Sequence, residues 1–261
     1  MFKSILLVVL VFILVTWIPF VQRHFIYFPA TNTPDRIESF AEDMEDVTIS
    51  TQDGVQLHAW YKAPADNKPV ILYLPGNAGN RGYRVRLARF FMDAGYGILL
   101  LDYRGYGGNP GKPDEMGLYA DGRAGIQFLK TQSAPIVIYG ESLGTAVAVQ
   151  MAMEFPICAL ILQSPLTSMT AVSRYWYPWL PVYLKDRYNS LQKIKDIHRP
   201  LLILHGEQDH IIPLQQGLEL YKEAHKPKEM LIFPKKGHND LWDEEFAKKV
   251  MAFIAGKCVS G

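Results

Sequence analysis

The sequence predicts an α/β fold, a mostly parallel sheet of about eight strands with helices on both faces. Three observations point there. Short apolar runs recur along the chain, among them PVILYL (69–74), YGILLLD (96–102), PIVIYG (135–140), ICALILQ (157–163), PLLILHG (200–206) and EMLIFP (229–234). None alternates apolar with polar residues, which is the pattern of strands covered on both sides. Between the runs lie stretches with apolar residues at helical spacing, and Gly or Pro marks most of the junctions.

The N-terminus is different material. After MFKS, residues 5–21 read ILLVVLVFILVTWIPFV, without a charge. With its flanks this run approaches the ~20 residues that a bilayer requires. Trp17 and Tyr27 suit the interface, with Arg23 and His24 just beyond. A cleaved leader has a shorter apolar core and ends in a small-x-small site, and no such pair stands between Thr16 and Phe28. Residues 1–23 are therefore expected to be an uncleaved, single-pass transmembrane helix. Lys3 and the amino terminus oppose Arg23, His24 and Arg36, so charge sets the orientation weakly. Short N-terminal segments with one lysine often stay inside, which puts the rest of the chain on the extracytoplasmic side.

Residues 24–46 include the acidic stretch TNTPDRIESFAEDMED (31–46) and read as a juxtamembrane connector. The main domain is expected over 47–261. DVTIS and VQLHAWYK flank TQDG, a hairpin turn at an antiparallel edge. YRVRLARFFMDAG (83–95) reads as a helix with a glycine stop. Residues 117–132 place Leu118, Ala120, Ala124, Ile126, Phe128 and Leu129 at helical spacing. Further helices are expected over 142–154, 213–225 and 242–255. Residues 167–198 break the rhythm: the stretch is aromatic, carries prolines and matches no strand. It is placed to be a short helical lid, with a helical connection packed on the surface as the alternative.

Composition excludes several classes. The 261 residues carry 27 basic and 26 acidic side chains, a formal net charge of +1, so nothing favours nucleic acid or a strongly anionic partner. Cys158 lies in an apolar run and Cys258 near the C-terminus, which suggests neither a metal site nor a disulfide framework; they are expected to be a buried small hydrophobe and a tail thiol, with a bridge between them as the alternative.

Chemistry concentrates at Gly140-Glu141-Ser142-Leu143-Gly144. This G-x-S-x-G pattern stands where a strand passes into a helix, and it holds a serine hydroxyl up at the helix N-terminus. A serine needs a base. Of seven histidines, His238 follows the last strand in FPKKGHNDLW and so faces the same rim as Ser142. His205 also ends a strand, but its HG pair reads as part of the turn. The base needs an acid to hold its tautomer. Asp209 fits, with Glu207 a near rival and Asp186 a weaker one. The order Ser142, Asp209, His238 suits this architecture. A developing oxyanion needs two N–H donors. Leu143 is one, and Asn77 in GNAGN (76–80) is the other. DYRGYG (102–107) reads as a structural turn in which Arg104 bonds locally, more than as a cleft wall. Asp240 is expected to fix the loop of His238. The aromatic residues Tyr175, Trp176, Tyr177 and Trp179 could pack a lid or contact an acyl chain.

At these residues the chain resembles the α/β-hydrolase superfamily, and most of all its membrane-anchored branch of small serine hydrolases. The resemblance runs from about residue 24 onward, through FIYFP (25–29), LPGNAGN (74–80), LDYRGYGGNPGKP (101–113), YGESLGTAVA (139–148), SPLTSM (164–169), LILHGEQDHIIP (202–213) and KKGHNDL (235–241). It implies hydrolysis of an ester, thioester or amide through a serine acyl-enzyme, with no metal and no cofactor. Ser142 is then nucleophile, His238 base and Asp209 acid, with Asn77 and Leu143 as the oxyanion hole. The chain has Pro75-Gly76 where the family often has His-Gly, and Asn109 where it often has Ser. The expected substrate is a small-molecule or lipid ester reached from the membrane, as for a lysophospholipase or esterase. Acyl-protein thioesterase or peptidase activity, acyl transfer to another acceptor and a non-catalytic binding fold are the alternatives.

Overall fold

The apolar runs become strands; those inside the sheet are buried on both faces, and the last, at the edge, is only partly covered. The computed structural model describes residues 22–65, 67–179 and 183–258. Residues 1–21 of the predicted anchor lie outside the described residues, and no described helix is long and apolar enough to cross a membrane. The main sheet holds β2 (Glu45–Ser50), β3 (Gln56–Lys62), β4 (Val70–Leu74), β6 (Gly97–Leu101), β7 (Ile136–Glu141), β8 (Ala159–Gln163), β9 (Leu201–Gly206) and β10 (Lys228–Phe233). Their order across the sheet is β10-β9-β8-β7-β4-β6-β3-β2. From β10 to β6 the pairing is parallel, and β3 and β2 close that edge antiparallel as the hairpin predicts. A small parallel pair, β1 (Phe28–Pro29) with β5 (Ala78–Gly79), lies apart from the sheet and was not legible in the sequence.

The pleat explains why the inner strands do not alternate. Successive side chains point to opposite faces, and both faces are covered. Val70, Leu72 and Leu74 of β4 enter one core, while Ile71 and Tyr73 enter the other. Ile136 and Ile138 of β7 divide from Val137 and Tyr139 in the same way. Each such side chain contributes about 1.5–3 kcal/mol on burial, so a polar residue at any of these positions is costly. Helices α2 (Glu115–Lys130), α3 (Leu143–Glu154) and α6 (Leu214–Glu223) pack on the first face; α1 (Val85–Asp93) and α7 (Glu244–Lys257) pack on the second.

Caps set the helix starts that periodicity places within two residues. Asp114 accepts from the Gly117 N–H at 2.7 Å, which starts α2 ahead of the predicted 117. Asp243 does the same for α7 through Phe246 at 2.9 Å. These caps answer N–H groups that have no partner in the first helical turn. The stretch at 167–198 contains α4 (Met169–Trp176), capped by Ser168, and the single turn α5 (Ser190–Lys193).

One expectation is overturned. Cys158 and Cys258 form a disulfide, with Cα atoms 5.6 Å apart across a sequence separation of 100. Helix α7 packs on the sheet face, and its C-terminus returns to the residue before β8. Packing, not sequence spacing, brings the two thiols together. The DYRGYG turn is structural as expected, but its arginine bonds over long range. Arg104 binds Asp121 at 2.7 Å and Asp53 at 2.7 Å, and Asp102 binds Arg81 at 2.6 Å. Asn109 donates to the Asp102 carbonyl at 2.8 Å and accepts from the His58 N–H at 2.7 Å, so its amide knits this turn to β3.

Candidate active site

Ser142 stands between β7 and α3 with φ 52° and ψ −117°. A residue with a side chain holds such a backbone only when its surroundings force it. The glycines on either side show what does so. A Cβ on Gly140 would lie 2.7 Å from the Gly144 carbonyl oxygen and 2.8 Å from the Ala148 Cβ. A Cβ on Gly144 would run into the carbonyls of Leu74 and Pro75. Strand and helix meet so tightly that only glycine fits two residues before and after the serine. The turn is held further by Ser142 N–H to the Gln163 carbonyl at 2.9 Å and by Thr145 Oγ to the Ser142 carbonyl at 2.6 Å.

His238 and Asp209 converge on this turn from the loops after β10 and β9. His238 Nε2 lies 2.9 Å from Ser142 Oγ, and His238 Nδ1 lies 2.7 Å from Asp209 Oδ2. Asp209 Oδ1 accepts from the N–H groups of Ile211 at 2.9 Å and Ile212 at 2.8 Å. Burial works to raise the Asp209 carboxyl, but the hydrogen bond and charge of His238 and these two N–H groups outweigh it and hold the carboxyl below its ordinary range. The rivals lie elsewhere. Glu207 is exposed, and Asp186 binds Tyr27 and Arg23.

His205 is fully buried beneath Asp209. Burial lowers its affinity for a proton, and its Nε2 lies 2.9 Å from the Ile212 carbonyl. A neutral ring that donates there shapes the acid's loop. Asp240 serves the base's loop in the same way: its carboxylate accepts from the Gly237 N–H at 2.6 Å.

Leu143 is the first residue of α3, directly after the serine. The loop of Asn77 lies close by, since a Cβ on Gly76 would be 3.4 Å from the Ser142 Cβ. Asn77 is held at both ends. Its side chain donates to the Ile26 carbonyl at 2.9 Å, and its carbonyl accepts from the Phe28 N–H at 2.8 Å and the Tyr106 hydroxyl at 2.9 Å. All five predicted positions thus gather at the carboxyl ends of the parallel strands, where open α/β sheets bind ligands.

One cluster beside the serine was missed. Glu141 accepts from Arg84 Nε at 2.7 Å and from the Tyr73 hydroxyl, and Arg84 reaches on to the Ala78 carbonyl at 3.2 Å. It ties the nucleophile turn to the Asn77 loop. A carboxylate next to the serine was the available signal, since a charge at a packed junction requires a partner. Four aromatic residues of 167–198 are exposed, Tyr175 by 56%, Trp176 by 48%, Tyr177 by 52% and Trp179 by 77%, whereas Tyr188 is buried. Trp176 Nε1 donates to the Ile211 carbonyl at 3.2 Å, which leans α4 toward the acid's loop.

Known proteins share this arrangement of elements. A family model for the alpha/beta hydrolase fold matches residues 69–189 and 173–245. A protein of Mycobacterium tuberculosis is 42% identical over 234 residues, 87% of this chain and 83% of its own. Lysophosphatidylserine lipase ABHD12 of Rattus norvegicus is 37% identical over 190 residues, 63% of this chain and 48% of the lipase, so the match spans about half of that relative. A Pyrococcus furiosus esterase shares the fold with a TM-score of 0.73 at 23% identity, covering 89% of this chain and 98% of the esterase.

Proposed function

The chain belongs to the α/β-hydrolase family and is an ester-hydrolysing enzyme, and we propose that it is a membrane-anchored serine hydrolase acting on lipid-like esters. The observation that carries this reading is the hydrogen-bonded series Ser142 Oγ, His238 Nε2, His238 Nδ1, Asp209 Oδ2, with links of 2.9 and 2.7 Å. Ser142 Oγ attacks the ester carbonyl as its proton passes to His238 Nε2. Asp209 holds Nδ1–H and stabilises the imidazolium. The N–H groups of Leu143 and Asn77 receive the oxyanion. Collapse of the tetrahedral intermediate breaks the ester C–O bond, and His238 returns its proton to the leaving alcohol. Water, activated by the same imidazole, then attacks the acyl-serine and releases the acid.

The lipid-directed part rests on the apolar run 5–21 and on the exposed aromatic side chains of 175–179. A site tethered to a bilayer meets amphiphiles at its surface. The disulfide supports an extracytoplasmic catalytic domain, because such bonds persist in oxidising compartments. The test is hydrolysis of p-nitrophenyl esters from acetyl to palmitoyl by the full chain in detergent, beside Ser142→Ala. The rate is expected to rise with chain length and to fall on the order of 10⁶-fold in the variant. A variant as fast as the wild type would remove the nucleophile assignment. Activity confined to acetyl esters would remove the lipid assignment alone.

A further inference from the structure

Residues 22–30 lie between the rim of the site and the segment around Asp186. Residues 22–26 are helical, and β1 follows directly. Ile26 and Tyr27 are buried in the main core beside Tyr106 and Tyr188. On one side the segment grips the Asn77 loop. The Ile26 carbonyl takes the Asn77 side-chain N–H at 2.9 Å, the Phe28 N–H bonds the Asn77 carbonyl at 2.8 Å, and the Ala30 N–H bonds the Gly79 carbonyl at 3.0 Å. On the other side it grips residues 183–188. Tyr27 donates to Asp186 at 3.0 Å and shares a 2.8 Å hydrogen bond with the Tyr188 hydroxyl. Arg23 reaches Asp186 at 3.3 Å and Asp114 at 2.8 Å.

The loop so held is GNAGN, with glycines at 76 and 79. Glycine loses the most backbone freedom on ordering, and this loop has little side chain of its own to pack. Its conformation must be imposed from outside. Three bonds from two other segments meet on one residue, Asn77, the last of them from the Tyr106 hydroxyl at 2.9 Å. Bonds to both the side chain and the carbonyl fix the orientation of Asn77, and with it the N–H that this residue carries.

We infer that residues 23–28 form a positioning strap for the oxyanion loop, acting through the side chain and carbonyl of Asn77, with Tyr106 completing the grip. This rests on the ester-hydrolase reading of Ser142. The segment that follows the predicted anchor is then part of the catalytic apparatus, and it joins the oxyanion loop to the segment around Asp186.

The test uses the full chain in detergent micelles with p-nitrophenyl octanoate, and compares Asn77→Asp, Tyr106→Phe and Ser142→Ala. Asn77→Asp keeps the shape of the side chain and removes its donor. Tyr106→Phe removes one oxygen, so it stays informative if Asn77→Asp does not fold. Displacement of a catalytic group by 1 Å costs about 10²-fold, so kcat is expected to fall on the order of 10-fold to 100-fold in each variant with KM nearly unchanged. Inhibition by an alkylboronic acid, which forms a tetrahedral adduct on Ser142, should weaken by the same factor as kcat/KM. The two substitutions should be non-additive, since they loosen the same residue. A merely structural role would lower the melting temperature and leave the boronic acid as tight as before. Wild-type kcat and boronic-acid affinity in both folded variants, with Ser142→Ala inactive, would overturn the strap and leave the hydrolase reading standing. An active Ser142→Ala would overturn both.

Discussion

At Asp209, electrostatics sets two roles at once. Its carboxylate orients His238 at 2.7 Å, and it is held below its ordinary value of 3.8 chiefly by that partner against the opposing effect of burial. For catalysis, Asp209→Asn leaves the geometry and favours the wrong imidazole tautomer, so kcat is expected to fall about 10⁴-fold. For stability the sign follows from linkage. A carboxyl that titrates lower in the folded chain contributes stability above its unfolded value and loses it as pH falls through the folded one. The stability gap between wild type and Asp209→Asn should therefore narrow as pH drops below about 5 and on through the lowered folded value. Urea unfolding at several pH values measures it, and a gap that widens toward acid would contradict the assignment. Both residues were readable in the sequence because each follows an apolar run that ends at the same rim. The partners of Arg104 were not, because Asp121 and Asp53 stand 17 and 51 positions away and a turn motif records only its own glycines.

Among elements, the junction of β4, β7 and α3 decides where the nucleophile stands. Gly144 lies against the carbonyls of Leu74 and Pro75, which are backbone atoms and cannot swing aside. Gly144→Ala is expected to push α3 off β4, to destabilise the fold by about 1–3 kcal/mol through overpacking, and to displace Ser142. Thermal unfolding together with kcat checks this, and a variant with wild-type values for both would show that the junction has slack. The glycines of this motif announced the packing. The β1–β5 pair did not announce itself, because a two-residue ladder carries no periodicity. Nor did the Glu141–Arg84 bond, which crosses 57 positions. Strands were legible where burial on both faces leaves an unbroken apolar run, and helices where it imposes a period of 3.6; contacts between loops leave neither.

On the scale of the whole molecule, the bond between Cys158 and Cys258 closes the second core. It joins the start of β8 to the end of α7, so that the C-terminal helix cannot leave the sheet while the bond is intact. Cross-linking a loop of about 100 residues removes unfolded-state entropy worth up to about 5 kcal/mol at 25 °C. Cys258→Ser should then lower the melting temperature by roughly 5–15 °C for a domain of this size, with little change in kcat, because the bridge lies at the ends of β8 and α7 away from Ser142. The same bond bears on topology. A domain exposed to the cytosolic glutathione pool would keep these thiols reduced, whereas one across the membrane would hold them oxidised. Intact cells that express the full chain can be quenched with acid and treated with a maleimide of distinct mass, before and after a reductant. Protection of both cysteines until reduction is expected, together with a catalytic domain accessible to protease from the extracytoplasmic side. Immediate labelling of both thiols would place the domain in a reducing compartment and remove the bridge's contribution to stability in the cell.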